Sequence, residues 1–203
     1  MNRKNIETEI KLHVADLDEL TEKLKNAGAK LVKPRVFETN TRYENDEKSL
    51  SSQGVVVRLR QDSKITLTYK EPASIQLDDK ILQRLEIEVK VSDFDNMELI
   101  LGRLGYHSYL IYEKWRTTYH LDDAEIVLDE MPYGNFMEIE ADSIEVIRFI
   151  MDKLALQKST AYRTNYIGLF FRVKKRLELD FHDITFANFQ GIEVPKSAFA
   201  PLE

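Results

Sequence analysis

In strand-like segments, two like charges separated by one residue stand at Glu7/Glu9, Arg58/Arg60, Glu86/Glu88, Lys114/Arg116 and Glu138/Glu140. Side chains two apart in an extended strand share a face, so each pair sets two charges of one sign side by side. Such neighbours repel unless something of opposite sign sits between them. Paired carboxylates suit a hard divalent cation such as Mg2+ or Mn2+, which takes oxygen ligands. Paired Arg and Lys suit an anion with many oxygens, above all a polyphosphate. A site with both kinds has what metal-assisted phosphoryl transfer needs. On any one strand the same charges would be only the solvated side of a sheet, but here the pairs recur and are sorted by sign.

Other chemistries are excluded by what is missing. The 203 residues include no cysteine, which removes disulfides, thiolate metal sites and a cysteine nucleophile. No GxxxxGK[ST] or GxGxxG occurs among only seven glycines, so no phosphate cradle of backbone N–H groups is on offer. His13, His107, His120 and His182 form no HExxH pair and read as surface or strand-edge residues, and there is no GxSxG elbow. With 29 Lys plus Arg against 35 Asp plus Glu the net charge is −6, which argues against nucleic acid or an anionic membrane as the main partner. No stretch of eighteen apolar residues suggests a membrane helix, and the residues from Met1 to Glu7 show no signal peptide. A cytoplasmic protein is expected, with a homodimer left open as its assembly.

The elements that must position these charges follow from periodicity. Period-two alternation predicts strands over Ile6–Val14, Lys30–Tyr43 (with Pro34 marking a bulge or edge), Val55–Gln61, Lys64–Lys70, Leu82–Val91, Tyr109–Leu121, Glu125–Glu130 and Asn135–Ala141. Asp62-Ser63, Asp122-Asp123 and Met131-Pro132-Tyr133-Gly134 supply turns, and residues 76–80 a polar link. Helical spacing appears at Leu17, Leu20, Leu24 and Ala27, with Asp16 as N-cap and Gly28 as stop. It returns at Phe94, Met97, Ile100, Leu101 and Leu104, then at Ile144, Ile147, Phe149, Ile150 and Leu154, and a further helix is expected over Thr160–Arg176. The division expected is a domain over 1–171 and an extension over 172–203, rich in Phe181, Phe186 and Phe189, packed on it.

Opposite the charges sit large apolar residues: Ile10 and Leu12, Val57 and Leu59, Leu85, Ile87 and Val89, Trp115, Met137 and Ile139. Small barrels are ordinarily apolar inside. Amphipathic helices, however, need apolar sheet to cover. If they cover the outer face, the charged face turns inward and the strands enclose a polar tunnel.

The ordered series Glu7-Thr8-Glu9-Ile10-Lys11, Arg58-Leu59-Arg60, Thr68-Tyr69-Lys70-Glu71-Pro72, Arg84-Leu85-Glu86-Ile87-Glu88, Glu113-Lys114-Trp115-Arg116, Leu128-Asp129-Glu130 and Phe136-Met137-Glu138-Ile139-Glu140 resembles the CYTH superfamily, the triphosphate tunnel metalloenzymes. The resemblance covers roughly residues 4–168. It implies an α+β fold, a closed eight-stranded antiparallel barrel with a charged lumen and helices outside. It implies that Glu7, Glu9, Glu138 and Glu140 hold Mg2+ or Mn2+, with Glu88 and Asp129 nearby in the chemistry. It implies that Lys11, Arg58, Arg60, Lys70, Arg84, Lys114 and Arg116 bind a small-molecule triphosphate, and Lys158 resembles a late lysine near the tunnel mouth. The family includes triphosphatases and class IV adenylate cyclases. Hydrolysis of inorganic triphosphate or a small organic triphosphate leads, conversion of ATP to cyclic AMP and pyrophosphate is the alternative, and a polyphosphate or nucleotide sensor without turnover is disfavoured because binding alone would want a surplus of bases.

Overall fold

The alternation of the first charged segment forms strand β1 (Ile6–Val14), whose apolar phase packs outward and charged phase inward. In the computed structural model, which describes residues 6–73, 78 and 80–201, seven more strands repeat that arrangement: β2 (Lys30–Glu44), β3 (Val56–Gln61), β4 (Ile65–Pro72), β5 (Leu82–Val91), β6 (His107–Leu121), β7 (Ala124–Met131) and β8 (Gly134–Ala141). All pairings are antiparallel, and the order β1-β5-β4-β3-β2-β6-β7-β8 closes on itself as a ring. The helices are α1 (Leu17–Asn26), a single turn α2 (Ser49–Ser52), α3 (Phe94–Arg103), α4 (Ile144–Lys153) and α5 (Tyr166–Arg176). A 3-10 turn (Lys196–Phe199) follows. The polar link expected over 76–80 falls mostly outside the described residues.

Local chemistry sets the helix ends. The Asp16 side chain accepts from the Asp18 and Glu19 N–H groups, and Asp93, Ser143 and Asn165 cap α3, α4 and α5 in the same way. Gly28 and Gly105 take positive φ just after α1 and α3, where a residue with a Cβ would be strained. Among the described residues no helix is long and apolar enough to cross a membrane.

The outer apolar face is covered, but unevenly. Leu20 and Leu24 of α1 and Ile147, Ile150 and Leu154 near α4 bury against Ile10, Leu12, Ile126, Leu128, Met137 and Ile139. Truncating one such buried leucine to alanine costs about 2–5 kcal/mol. Helix α3 lies against β2, β3 and β4 through Leu101, Phe94 and Met97. Its Ile100 and Leu104, expected on the buried side, are 52% and 67% exposed, and Phe149 of α4 is also exposed. Ile87 and Val89 stay exposed as well, because α3 reaches β5 only near Val91.

The shear of the ring leaves strand edges open at one end, and the C-terminal part of the chain fills them. β5 accompanies β1 only from Ile6 to Glu9. Beyond that, the Thr160 carbonyl accepts from the His13 N–H and the Tyr162 N–H donates to the Lys11 carbonyl. This pairing holds residues 160–162 extended and delays the helix expected from Thr160 until Tyr166. β7 accompanies β6 only from Trp115 onward, and Ile184 takes its place beside Ile111 and Glu113. Tyr162, Tyr166, Phe170, Ile184, Phe189 and Phe199 then close over Leu110, Tyr112, Tyr133 and Phe136, an aromatic plug across that end.

Candidate functional site

The charged phases of all eight strands line one cavity of about 440 Å³ inside the ring. β1 contributes Glu7, Glu9 and Lys11, β3 Arg58 and Arg60, β4 Lys70, β5 Arg84, Glu86 and Glu88, β6 Lys114 and Arg116, and β8 Glu138 and Glu140. Residues separated by more than 130 positions in the chain thus meet, as the inward-facing pattern requires. Asp129 is wholly buried behind this lining rather than on it. Lys158 is not among the residues that line this cavity and stands exposed on the turn after α4.

One wall is a neutralised lattice. Lys11 Nζ donates to Glu138 at 2.5 Å, and Arg116 donates to the other oxygen of Glu138 at 2.8 Å. Burial raises the Glu138 carboxyl, but Lys11, Arg116 and Lys114 outweigh it and hold the group well below the usual carboxylate range. Arg116 also forks onto Asp129 at 2.6 and 2.5 Å, while Lys114 reaches Asp129 at 3.1 Å and Glu38 at 3.6 Å. Burial opposes ionisation of Glu38, yet Lys114 and Arg116 pull its pKa down to about 2. Tyr166, the first residue of α5, donates to Asp129 at 2.7 Å and sets its ring 4.3 Å from the Lys11 ammonium.

The opposite wall holds cations with spare donors. Lys70 bonds Glu7 at 2.6 Å and lies 3.0 Å from Glu86. Arg58 donates to Tyr112 at 3.2 Å and Thr68 at 3.1 Å, and Glu88 lies 3.5 Å from both Arg58 and Arg60. Arg84 donates to the Gly54 carbonyl at 2.7 Å. The Nε atoms of Arg42, Arg58, Arg60 and Arg84, the Asn40 amide and the Thr66 hydroxyl are buried without a partner. Buried donors of this kind are costly unless an acceptor arrives, and an oxygen-rich anion brings many.

Carboxylates without cations complete the picture. Glu9 and Glu140 face each other in register across β1 and β8, and Glu125 faces Glu140 from β7. Neither Glu9 nor Glu140 bonds a cation among the described residues. Burial raises the Glu9 carboxyl, and Glu138 and Glu7 add to this against the pull of Lys11. Burial, then the charge of Glu7, pushes Glu140 up to about 8. Hard oxygen donors that repel one another fit a divalent cation. Among the described residues no three acidic or histidine side chains converge as a finished cage. Glu7 and Glu138 are turned toward Lys70 and Lys11, which leaves Glu9 and Glu140 as the available donors.

Several residues here escaped the sequence pattern. Glu38 and Arg42 sit in β2 among Asn40 and Thr41, where alternation is blurred, and Pro34 coincides with a register shift. Tyr112 and Tyr166 carried no charge to mark them. Glu125 was visible as an acid at the start of β7, but its alignment with Glu140 and Glu9 depends on register.

The CYTH domain model matches residues 5–148. A Methanocaldococcus jannaschii protein provisionally named an adenylate cyclase is 28% identical over 175 residues, 81% of this chain and 98% of that one. The PH1819 protein of Pyrococcus horikoshii OT3 is also 28% identical, with a TM-score of 0.67 over 81% of this chain and 98% of that one. HpAC1 of Hippeastrum, described as revealing a dominant triphosphatase activity, is 15% identical with a TM-score of 0.60, over 81% of this chain and 95% of that one, and so shares the fold.

Proposed function

The chain belongs to the CYTH domain family, and from that premise we propose that it is a divalent-metal-dependent hydrolase of inorganic triphosphate or a small organic triphosphate. The observation that carries this is the cavity in which seven basic side chains, with unpartnered Nε donors on Arg58, Arg60 and Arg84, stand against the carboxylates of Glu9 and Glu140, which bond no cation among the described residues. Lys11, Arg58, Arg60, Lys70, Arg84, Lys114 and Arg116 bind the phosphate chain by charge-assisted hydrogen bonds. Glu9 and Glu140, with Glu7 and Glu138 beside them, hold Mg2+ or Mn2+, which neutralises charge on the phosphate oxygens when bound. Glu88, bonded by the Thr68 hydroxyl at 2.7 Å, steadies Arg58 and Arg60 at the rim. Asp129 acts from behind, fixing Arg116 and Lys114.

The second reading is a class IV adenylate cyclase, favoured by the name of the Methanocaldococcus relative. Both reactions need the same cation and the same bases. Cyclisation further needs the ribose 3′-oxygen held in line with the α-phosphorus, whereas hydrolysis needs only an oriented water. Incubation with inorganic triphosphate or ATP, followed by separation of the products, distinguishes the two. Orthophosphate from triphosphate supports the hydrolase, and cyclic AMP with pyrophosphate from ATP supports the cyclase.

A further inference from the structure

Helix α3 turns one stripe of its surface to solvent: Asp95, Asn96, Leu99, Ile100, Arg103 and the capping Leu104 are all exposed. The spacing is that of a single face, since residues four apart are neighbours along a helix. Leu99, at the middle of the stripe, is 63% exposed. Beside the helix lies the bare part of β5. Val89 pairs with Leu67 of β4, and Leu67 and Val91 belong to the cluster that packs with Leu101 of α3. The exposed Ile87 and Val89 therefore continue the patch made by Leu99, Ile100 and Leu104. Of the large apolar side chains exposed among the described residues, half gather here. Apolar residues scattered singly over a surface mean little, but a contiguous patch marks a surface that meets something.

The charges on the stripe identify what it meets. Asp95 stands one turn before Leu99, and Arg103 one turn after it. Neither forms an ion pair among the described residues, whereas Glu98 already accepts from the Tyr43 hydroxyl at 3.0 Å. An acid and a base at these ends also complement the helix's own dipole, but that role does not require them to share a stripe with Leu99. Turned end for end about Leu99, the stripe is its own complement. A second α3 laid antiparallel against the first puts Leu99 on Leu99, Asp95 on Arg103 and Arg103 on Asp95. It also sets opposite helix ends side by side. A parallel pair would bring like charges together.

We infer that α3 and the adjoining face of β5 dock a second copy of this chain about a two-fold axis at Leu99. Such a contact uses the same patch on both copies, so it closes as a dimer and does not propagate. Its centre is apolar, and its ion pairs lie at the rim, where they set orientation more than affinity. None of these residues lines the charged cavity, and the inference is independent of the triphosphate reading.

The test follows the mass of the full chain by sedimentation velocity, across a dilution series that reaches millimolar protein. The wild type is expected to run at twice the chain mass and to dissociate on dilution. Leu99→Asp, at an exposed position where a melting curve verifies the fold, is expected to raise the dimer Kd at least tenfold. Asp95→Arg alone and Arg103→Asp alone each set like charges against one another twice per dimer, and each is expected to weaken it at least fivefold. Mixed together, those two variants restore both ion pairs, and a heterodimer is expected with a Kd within threefold of the wild type. A wild-type chain that stays monomeric overturns the inference, and so does assembly beyond a dimer. A dimer that survives Leu99→Asp and both charge reversals overturns it as well, because its contact lies elsewhere. Reversals that weaken the dimer without rescue on mixing overturn the antiparallel two-fold contact.

Discussion

Glu9 and Glu140 face each other in register across β1 and β8, two carboxylates inside the ring with no cation bonded to either among the described residues. Their neighbour Glu138 is different, since Lys11 and Arg116 already neutralise it. The pairs Glu7/Glu9 and Glu138/Glu140 therefore each divide into one member held by a protein cation and one without, the latter proposed for a metal, whereas both Glu86 and Glu88 meet cations. Chelation is expected to abolish turnover and Mg2+ or Mn2+ to restore it. Glu140→Gln is expected to weaken divalent binding at least tenfold while raising the apo melting temperature, because it removes like-charge repulsion. Unchanged divalent affinity by calorimetry would remove Glu140 from the metal site.

Glu138→Gln is expected to behave in the opposite way. It leaves Lys11 and Arg116 short of a buried partner, and breaking a buried pair costs about 3–5 kcal/mol. Thermal melts of the two glutamine variants, run side by side, are expected to move in opposite directions.

The pH dependence of stability carries two signs. Glu140 has its folded pKa raised to about 8 from 4.5, so the stability associated with its protonated form is present below about 4.5 and is lost as pH rises through about 8. Glu38 has its folded pKa lowered to about 2, so its contribution is present above about 4.5 and is lost as pH falls through about 2. Melts of the metal-free protein are expected to show stability falling between pH 4.5 and 8, and Glu140→Gln is expected to flatten that slope. An equal slope in the variant would contradict the assignment.

Arg58 and Arg60 are expected to dominate the grip on the phosphate chain. Each charge-assisted hydrogen bond is worth about 1.5–3 kcal/mol, so Arg60→Ala is expected to raise the triphosphate KM at least tenfold, the factor for each ~1.4 kcal/mol. Arg60→Lys is expected to recover only part, since a point charge cannot reproduce the planar fork. Wild-type KM and kcat in Arg60→Ala would place the substrate elsewhere.

Much of this was legible in the sequence because the lumen is written in charge. The pairs Glu7/Glu9, Arg58/Arg60 and Glu138/Glu140 alternate with apolar residues, and the structure puts each pair on the cavity wall. What period two cannot show is who neutralises whom, since Lys11–Glu138 and Lys70–Glu7 depend on register and ring order. Tyr162 and Ile184 arrive from the C-terminal part to fill edges that exist only once the ring has closed with its shear. Lys158 illustrates the converse. Its resemblance to a late lysine suggested the tunnel mouth, and the structure shows it exposed and outside the cavity lining.

The most direct test supplies Mg2+ or Mn2+ and, separately, inorganic triphosphate and ATP, and then resolves the products by ion-exchange chromatography. Orthophosphate released from triphosphate is expected to exceed cyclic AMP formed from ATP. Cyclic AMP and pyrophosphate from ATP, with inorganic triphosphate left intact, would contradict the hydrolase and establish the cyclase in its place.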